Sequence, residues 1–159
     1  MRTFLADIGN SSIKMGPKQP SVLETALQSP AWSLQLSDLR LQDVGEDPIQ
    51  WYCVSVNPPA LKQLQDLLVE QRPQDRMHVV TLEDFDLRVQ VTEPARLGLD
   101  RLAAAAAAVH LKSPGAAAIV IDVGTATTVD AVSSDGQFLG GAILGSPALV
   151  LNALNSQTQ

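Results

Sequence analysis

Apolar positions along the chain fall into short runs divided by turn residues, with two stretches at helical spacing. Residues 3–7 and 11–16 read as two strands joined by a turn over 7–11. Pro17, Pro20, Pro30 and Pro48 punctuate the next segment, where 32–36 alternate as in a strand and 37–44 fit a short helix capped by Ser37 or Asp38. Residues 51–56 predict a strand that ends at Asn57-Pro58-Pro59. Pro59 suits the first turn of a helix, and Leu61, Leu64, Leu67 and Leu68 continue it to near Pro73. Short strands follow over 77–82 and 87–91. The alanine run after Leu102 predicts a helix over 99–112, ended by Pro114 and Gly115. Ile119-Val120-Ile121 reads as a strand buried on both faces, because β-branched residues fit a covered pleat. A strand over 128–132, an Asp135-Gly136 hairpin turn, a return over 137–139, a strand edge at 140–143 and a helix over 147–155 complete the pattern.

Two of these strands end in the same way. Phe4-Leu5-Ala6 runs into Asp7-Ile8-Gly9-Asn10-Ser11-Ser12, and Ile119-Val120-Ile121 into Asp122-Val123-Gly124-Thr125. Glycine lets backbone N–H groups approach an anion, neighbouring hydroxyls add donors, and an aspartate beside the turn suits a cation that neutralises phosphate. A single Asp-x-Gly is an ordinary turn. Two copies with hydroxyl or amide residues at matching offsets point to two half-sites for one phosphate chain. Lys14, on the strand after the first turn, adds a charge near that phosphate.

The stretch Gly98-Leu99-Asp100-Arg101 stands at the start of the alanine-rich helix. An aspartate there is favoured by the helix dipole alone. It also suits a carboxylate aimed at a substrate hydroxyl, with Arg101 offering a planar fork to a carboxylate or phosphate.

Composition narrows the field. The 159 residues are 45% hydrophobic and 18% charged, as in a globular protein. The formal net charge of −6 leaves no basic surplus for a nucleic acid. Cys53 is the only cysteine, so no intrachain disulfide is expected, and His78 and His110 lack partners at metal-ligand spacing. No apolar run is long enough to cross a membrane, and no signal peptide opens the chain. A cytoplasmic, soluble protein is expected.

Together these motifs resemble the type III pantothenate kinase family of the acetate-kinase, sugar-kinase, Hsp70 and actin superfamily. Its first phosphate motif resembles Asp7-Ile8-Gly9-Asn10-Ser11, its substrate motif Gly98-Leu99-Asp100-Arg101, and its second phosphate motif Asp122-Val123-Gly124-Thr125-Ala126-Thr127-Thr128-Val129-Asp130. Val54-Ser55-Val56-Asn57-Pro58 is similar to its strand-to-helix turn, and 135–143 to its following hairpin. The resemblance implies an α/β fold of two ribonuclease-H-like, actin-like ATPase lobes, with mixed sheets flanked by helices. The first lobe would span 1–114 and the second, incomplete, 115–159.

The implied activity is ATP-dependent phosphorylation of pantothenate, the first step toward coenzyme A. By the same resemblance Asp100 is the general base, and Asp7, Ile8, Gly9, Asn10, Ser11, Ser12, Ile13 and Lys14 form an ATP phosphate loop joined by Thr125. Gly98, Leu99, Asp100 and Arg101 contact pantothenate, Asp122 holds a monovalent cation (K⁺ or NH₄⁺), and Asp7 lies near Mg²⁺. A homodimer is implied, with the alanine-rich helix as an interface. Val91 stands where the family often has tyrosine, Leu144-Gly145-Ser146-Pro147 interrupts its usual Pro-Gly, and the family continues well past residue 159. The alternative is a non-catalytic nucleotide- or partner-binding homologue that has lost the C-terminal part of the cleft.

Overall fold

The computed structural model describes residues 1–10, 12–18 and 45–157. Ser11, the strand expected over 32–36 and the helix expected over 37–44 lie outside the described residues. Among those described, the fold is mixed α/β, with two sheets and three α-helices. Packing divides the chain into two compact units, Met1–Val80 and Thr81–Gln159.

In the first unit, strands β1 (Arg2–Ile8), β2 (Ile13–Pro17), β3 (Ile49–Ser55) and β4 (Arg76–Val79) form a sheet in the order β2-β1-β3-β4. β1 and β2 make the expected antiparallel hairpin, while β1–β3 and β3–β4 are parallel. The parallel crossover from β3 to β4 needs a covering element, and helix α1 (Pro58–Gln71) supplies it. Asn57 caps α1 by accepting from the Ala60 N–H at 3.2 Å, and the two prolines sit where no intrahelical donor is needed. Phe4, Ala6, Ile8, Ile13, Trp51 and Cys53 alternate onto one sheet face and bury against Ala60, Leu64 and Leu68. β4 stops at Val79, short of the predicted 82. Leu82–Asp84 instead forms a 3₁₀ turn, in which the Asp84 carboxylate accepts from the Thr81 N–H at 2.7 Å.

A buried polar network closes the far end of this core. Asp75 accepts from Trp51 Nε1 at 2.7 Å, from the Ile49 N–H at 3.0 Å and from Arg72 Nε at 2.6 Å. Arg72 in turn donates to the carbonyls of Gly45 and Asp47, at 2.6 and 2.9 Å. Burial would raise the Asp75 pKa, but the donors from Arg72, Trp51 and Ile49 outweigh it and hold the carboxyl below its ordinary range. Cys53 has no such partner, and burial pushes its thiol up to about 12.

In the second unit, helix α2 (Leu99–Leu111) packs on an antiparallel sheet of β5 (Ala118–Val123), β6 (Ala126–Val132) and β7 (Phe138–Gly145). Helix α3 (Pro147–Gln157) follows. Leu102 and Ala105 of α2 bury with Val132 and Phe138, and the small alanines allow the close approach. Gly136 takes the left-handed conformation (φ 82°) that the Asp135-Gly136 turn requires. What looked like two short segments after it is one strand, with a bulge opposite Ala131 and Val132.

Two expectations are corrected here. Residues 87–91 do not form a strand. Only Val89 bridges to Phe138, and Val91 packs beside Gly140 at the bulge, where ladder pairing cannot continue. β5 is not buried on both faces either. Ile119 and Ile121 are 65% and 64% exposed, because α2 covers one face of the sheet and the other stays open. Residues 81–114 belong to the same compact unit as the second sheet.

Candidate active site

The first phosphate turn leaves β1 at Ile8, whose buried side chain anchors it. The Gly9 N–H donates to the Ser12 carbonyl at 2.9 Å, and that oxygen sits close enough to crowd any Cβ at residue 9. Asp7 and Lys14 face each other across the hairpin, Nζ to Oδ2 at 3.8 Å, both about half exposed. Asn10 is exposed at the tip, and Ile13 is buried beneath it. Asn57 ties this turn to α1: its Nδ2 donates to the Gly9 carbonyl at 3.4 Å while its Oδ1 caps the helix. Sequence reading placed Asn57 before a helix but missed the tether. An Asn directly preceding two prolines was the available signal.

The other site residues belong to the second unit. Gly98 is the N-cap of α2, and Asp100 and Arg101 occupy its first turn, as expected. Asp100 is half-buried, and its Oδ1 accepts from the Arg101 N–H at 2.8 Å. The second phosphate turn joins β5 to β6, closed by the Gly124 N–H to the Ala126 carbonyl at 2.9 Å. Asp122, Gly124 and Thr125 are all exposed at this edge.

Sheet register connects the two motifs of this unit. Val120 pairs with Asp130 and Asp122 with Thr128, so Asp122 and Asp130 are diagonal neighbours on one face. That face is the one on which α2 lies, because Val120 and Val132 pack with Leu102 and Ala105. Arg101 reaches down to Asp130. Its Nε donates to Oδ2 at 3.0 Å and its Nη2 donates to Oδ1. The guanidinium also stands 5.9 Å from the Phe138 ring centre. Asp130 is 1% exposed. The hydrogen bonds from Arg101 to Asp130 outweigh burial and raise the Arg101 pKa above its ordinary value. Sequence reading quoted Asp130 as the last residue of a motif and gave it no task.

No cluster of three or more acidic, histidine or cysteine side chains suited to a metal is present among the described residues. Asp7 and Asp122 are therefore single carboxylates. They fit ions that also take oxygen ligands from phosphate and water, as Mg²⁺ beside a nucleotide does. No described helix is long and apolar enough to cross a membrane.

The type III pantothenate kinase family model matches residues 3–159. A type III pantothenate kinase of Stenotrophomonas maltophilia is 32% identical over 162 residues, which cover 99% of this chain and 63% of that protein. Others are those of Herminiimonas arsenicoxydans, 47% identical over 72 residues (45% of this chain, 28% of that one), and Thermus thermophilus, 36% over 104 residues (65% and 41%). The chain thus spans less than two thirds of the length of the relatives it matches. With the match running through both phosphate turns and the Gly98–Arg101 motif, the chain belongs to the type III pantothenate kinase family.

Proposed function

We propose that this chain carries the phosphate turns and substrate motif of an ATP-dependent pantothenate kinase, with ribonuclease-H-like lobes over 1–114 and from 115 onward. One observation carries the reading. Asp100 opens a helix that packs on the same sheet face as Asp122, so a base and a phosphate-side carboxylate belong to one scaffold. Phosphoryl transfer needs positioning and charge neutralisation more than covalent help.

In the proposed reaction Asp100 takes the proton of the pantothenate hydroxyl as its oxygen attacks the γ-phosphorus, and the γ-phosphorus bond to the ADP oxygen breaks. Asp100 is only partly buried, which leaves its carboxylate within reach of a ligand. Within the first unit, Asp7 to Lys14 form the proposed phosphate loop, and within the second, Thr125 is a proposed phosphate contact. Mg²⁺ near Asp7 and K⁺ or NH₄⁺ at Asp122 would supply positive charge against the phosphates when bound. We assign the protein to the cytoplasm, and to homodimers that meet at α2.

The test is ADP release coupled to an optical readout, with Mg²⁺ and K⁺, with and without pantothenate. It is run on the chain itself and on the chain extended after Gln159 by the remaining length of the Stenotrophomonas relative. Pantothenate-dependent ADP release that Asp100→Asn removes is the expected result. Release in neither form, or release indifferent to pantothenate, would sink the reading.

A further inference from the structure

We infer that Asp130 is a positioning residue that makes the site select for a carboxylate-bearing substrate, by clamping one edge of the Arg101 guanidinium. The inference rests on the proposed contact between Arg101 and pantothenate.

A guanidinium offers five N–H donors in a fixed plane. The bonds to Asp130 use Nε–H and one Nη2 N–H, which leaves three donors outside the clamp, two on Nη1 and the second on Nη2, so that the Nη1–Nη2 edge remains to be offered. Arg101 and Asp130 are 29 residues apart in sequence, and the Asp130 side chain is 1% exposed against 13% for Arg101. A carboxylate so deeply buried is tolerated when its partner is charged and hydrogen-bonded to it. Its place on the sheet has been kept clear: a Cβ on Gly141, its cross-strand partner, would overlap the Asp130 carboxylate and the Val129 carbonyl. Phe138 bounds the guanidinium on another side. With one edge fixed, the plane cannot swing, and the remaining edge is preorganised for the two oxygens of a carboxylate. A neutral hydroxyl offers a single oxygen, which cannot meet two parallel N–H donors in line and carries no charge. Lysine cannot substitute, because an ammonium paired with Asp130 has no second edge to present.

The experiment uses the ¹⁵N-labelled 159-residue chain and follows the Arg101 Nε–H signal and backbone amides by NMR. Two ligands are titrated, pantothenate and its alcohol analogue, in which CH₂OH replaces the carboxylate. The unmodified chain is expected to show a slowly exchanging Arg101 Nε–H and to bind pantothenate about tenfold more tightly than the alcohol. Asp130→Asn should lose the slow exchange and bring the two affinities together. Arg101→Lys keeps an ion pair with Asp130, so it holds the fold if Asp130→Asn does not, and it should lose the preference as well. A slow Nε–H with no pantothenate binding in the unmodified chain would overturn the substrate reading and this inference with it. A preference that survives in Asp130→Asn would overturn the positioning role alone, leaving Asp130 a stabilising partner of Arg101, and one that survives in Arg101→Lys would overturn the Arg101 contact and this inference with it.

Discussion

Arg101 in the first turn of α2 and Asp130 in the middle of β6 hold each other through paired hydrogen bonds, the shortest of them between Nη2 and Oδ1. This pair fastens the proposed substrate motif to the sheet whose edge carries the second phosphate turn. Gly141 makes it possible. Gly141→Ala would force Asp130 or the β6 backbone to move, and overpacking of this kind costs about 1–3 kcal/mol. A thermal melt of the variant should show a clear drop in Tm; an unchanged Tm would mean that the sheet yields there freely.

Asp100→Asn, in a form that turns over pantothenate, is expected to lower kcat by about 10²–10⁴-fold while ATP affinity stays near normal. Steady-state kinetics with each substrate varied separates the two. Turnover within about twofold of the unmodified enzyme would leave Asp100 only its favourable place at a helix start.

The exposed carboxylate of Asp122 should make nucleotide binding or activity depend on the monovalent cation, with K⁺ effective and Na⁺ poor. Asp122→Asn should erase the difference. Identical titrations in K⁺ and Na⁺ for the unmodified protein would argue that no such ion is held there.

Asp75 ties acid stability to the first unit. Its folded pKa lies below the ordinary 3.8, so its contribution is fully present above that value and fades as pH falls through the lower folded pKa. Asp75→Asn leaves the Arg72 charge buried without its counter-ion, which costs roughly 3–5 kcal/mol at neutral pH. Denaturant unfolding across acid to neutral pH should show a large neutral-pH loss and a flatter acid limb. Parallel curves for variant and parent would count against the assignment.

The open face of the second sheet exposes Ile119, Ile121 and Val123 at 63–65% each. A patch of this kind promotes association. Light scattering on the 159-residue chain should report a concentration-dependent mass above the monomer. Ile119→Lys with Ile121→Lys should lower it. A monomer at every concentration would show that the face is harmless as it stands.

Much of this was legible in the sequence because it is local. Helical spacing of Leu61, Leu64 and Leu68 specifies α1, Asp135-Gly136 specifies its hairpin, and the alanine run specifies α2 to within a residue. The Asp-x-Gly turns and Gly98–Arg101 were readable for the same reason: each is a handful of adjacent residues whose chemistry does not depend on distant partners. What covers a strand is not local. Ile119 and Ile121 have the β-branched character of a doubly covered strand, yet α2 shields one face only, and no spacing within β5 encodes that. Nor could adjacency reveal that the far ends of two motifs, Arg101 and Asp130, are a single ion pair. Only the register of β5, β6 and β7 beneath α2 decided that, because burial and charge pairing are set by which distant segments the fold brings into contact.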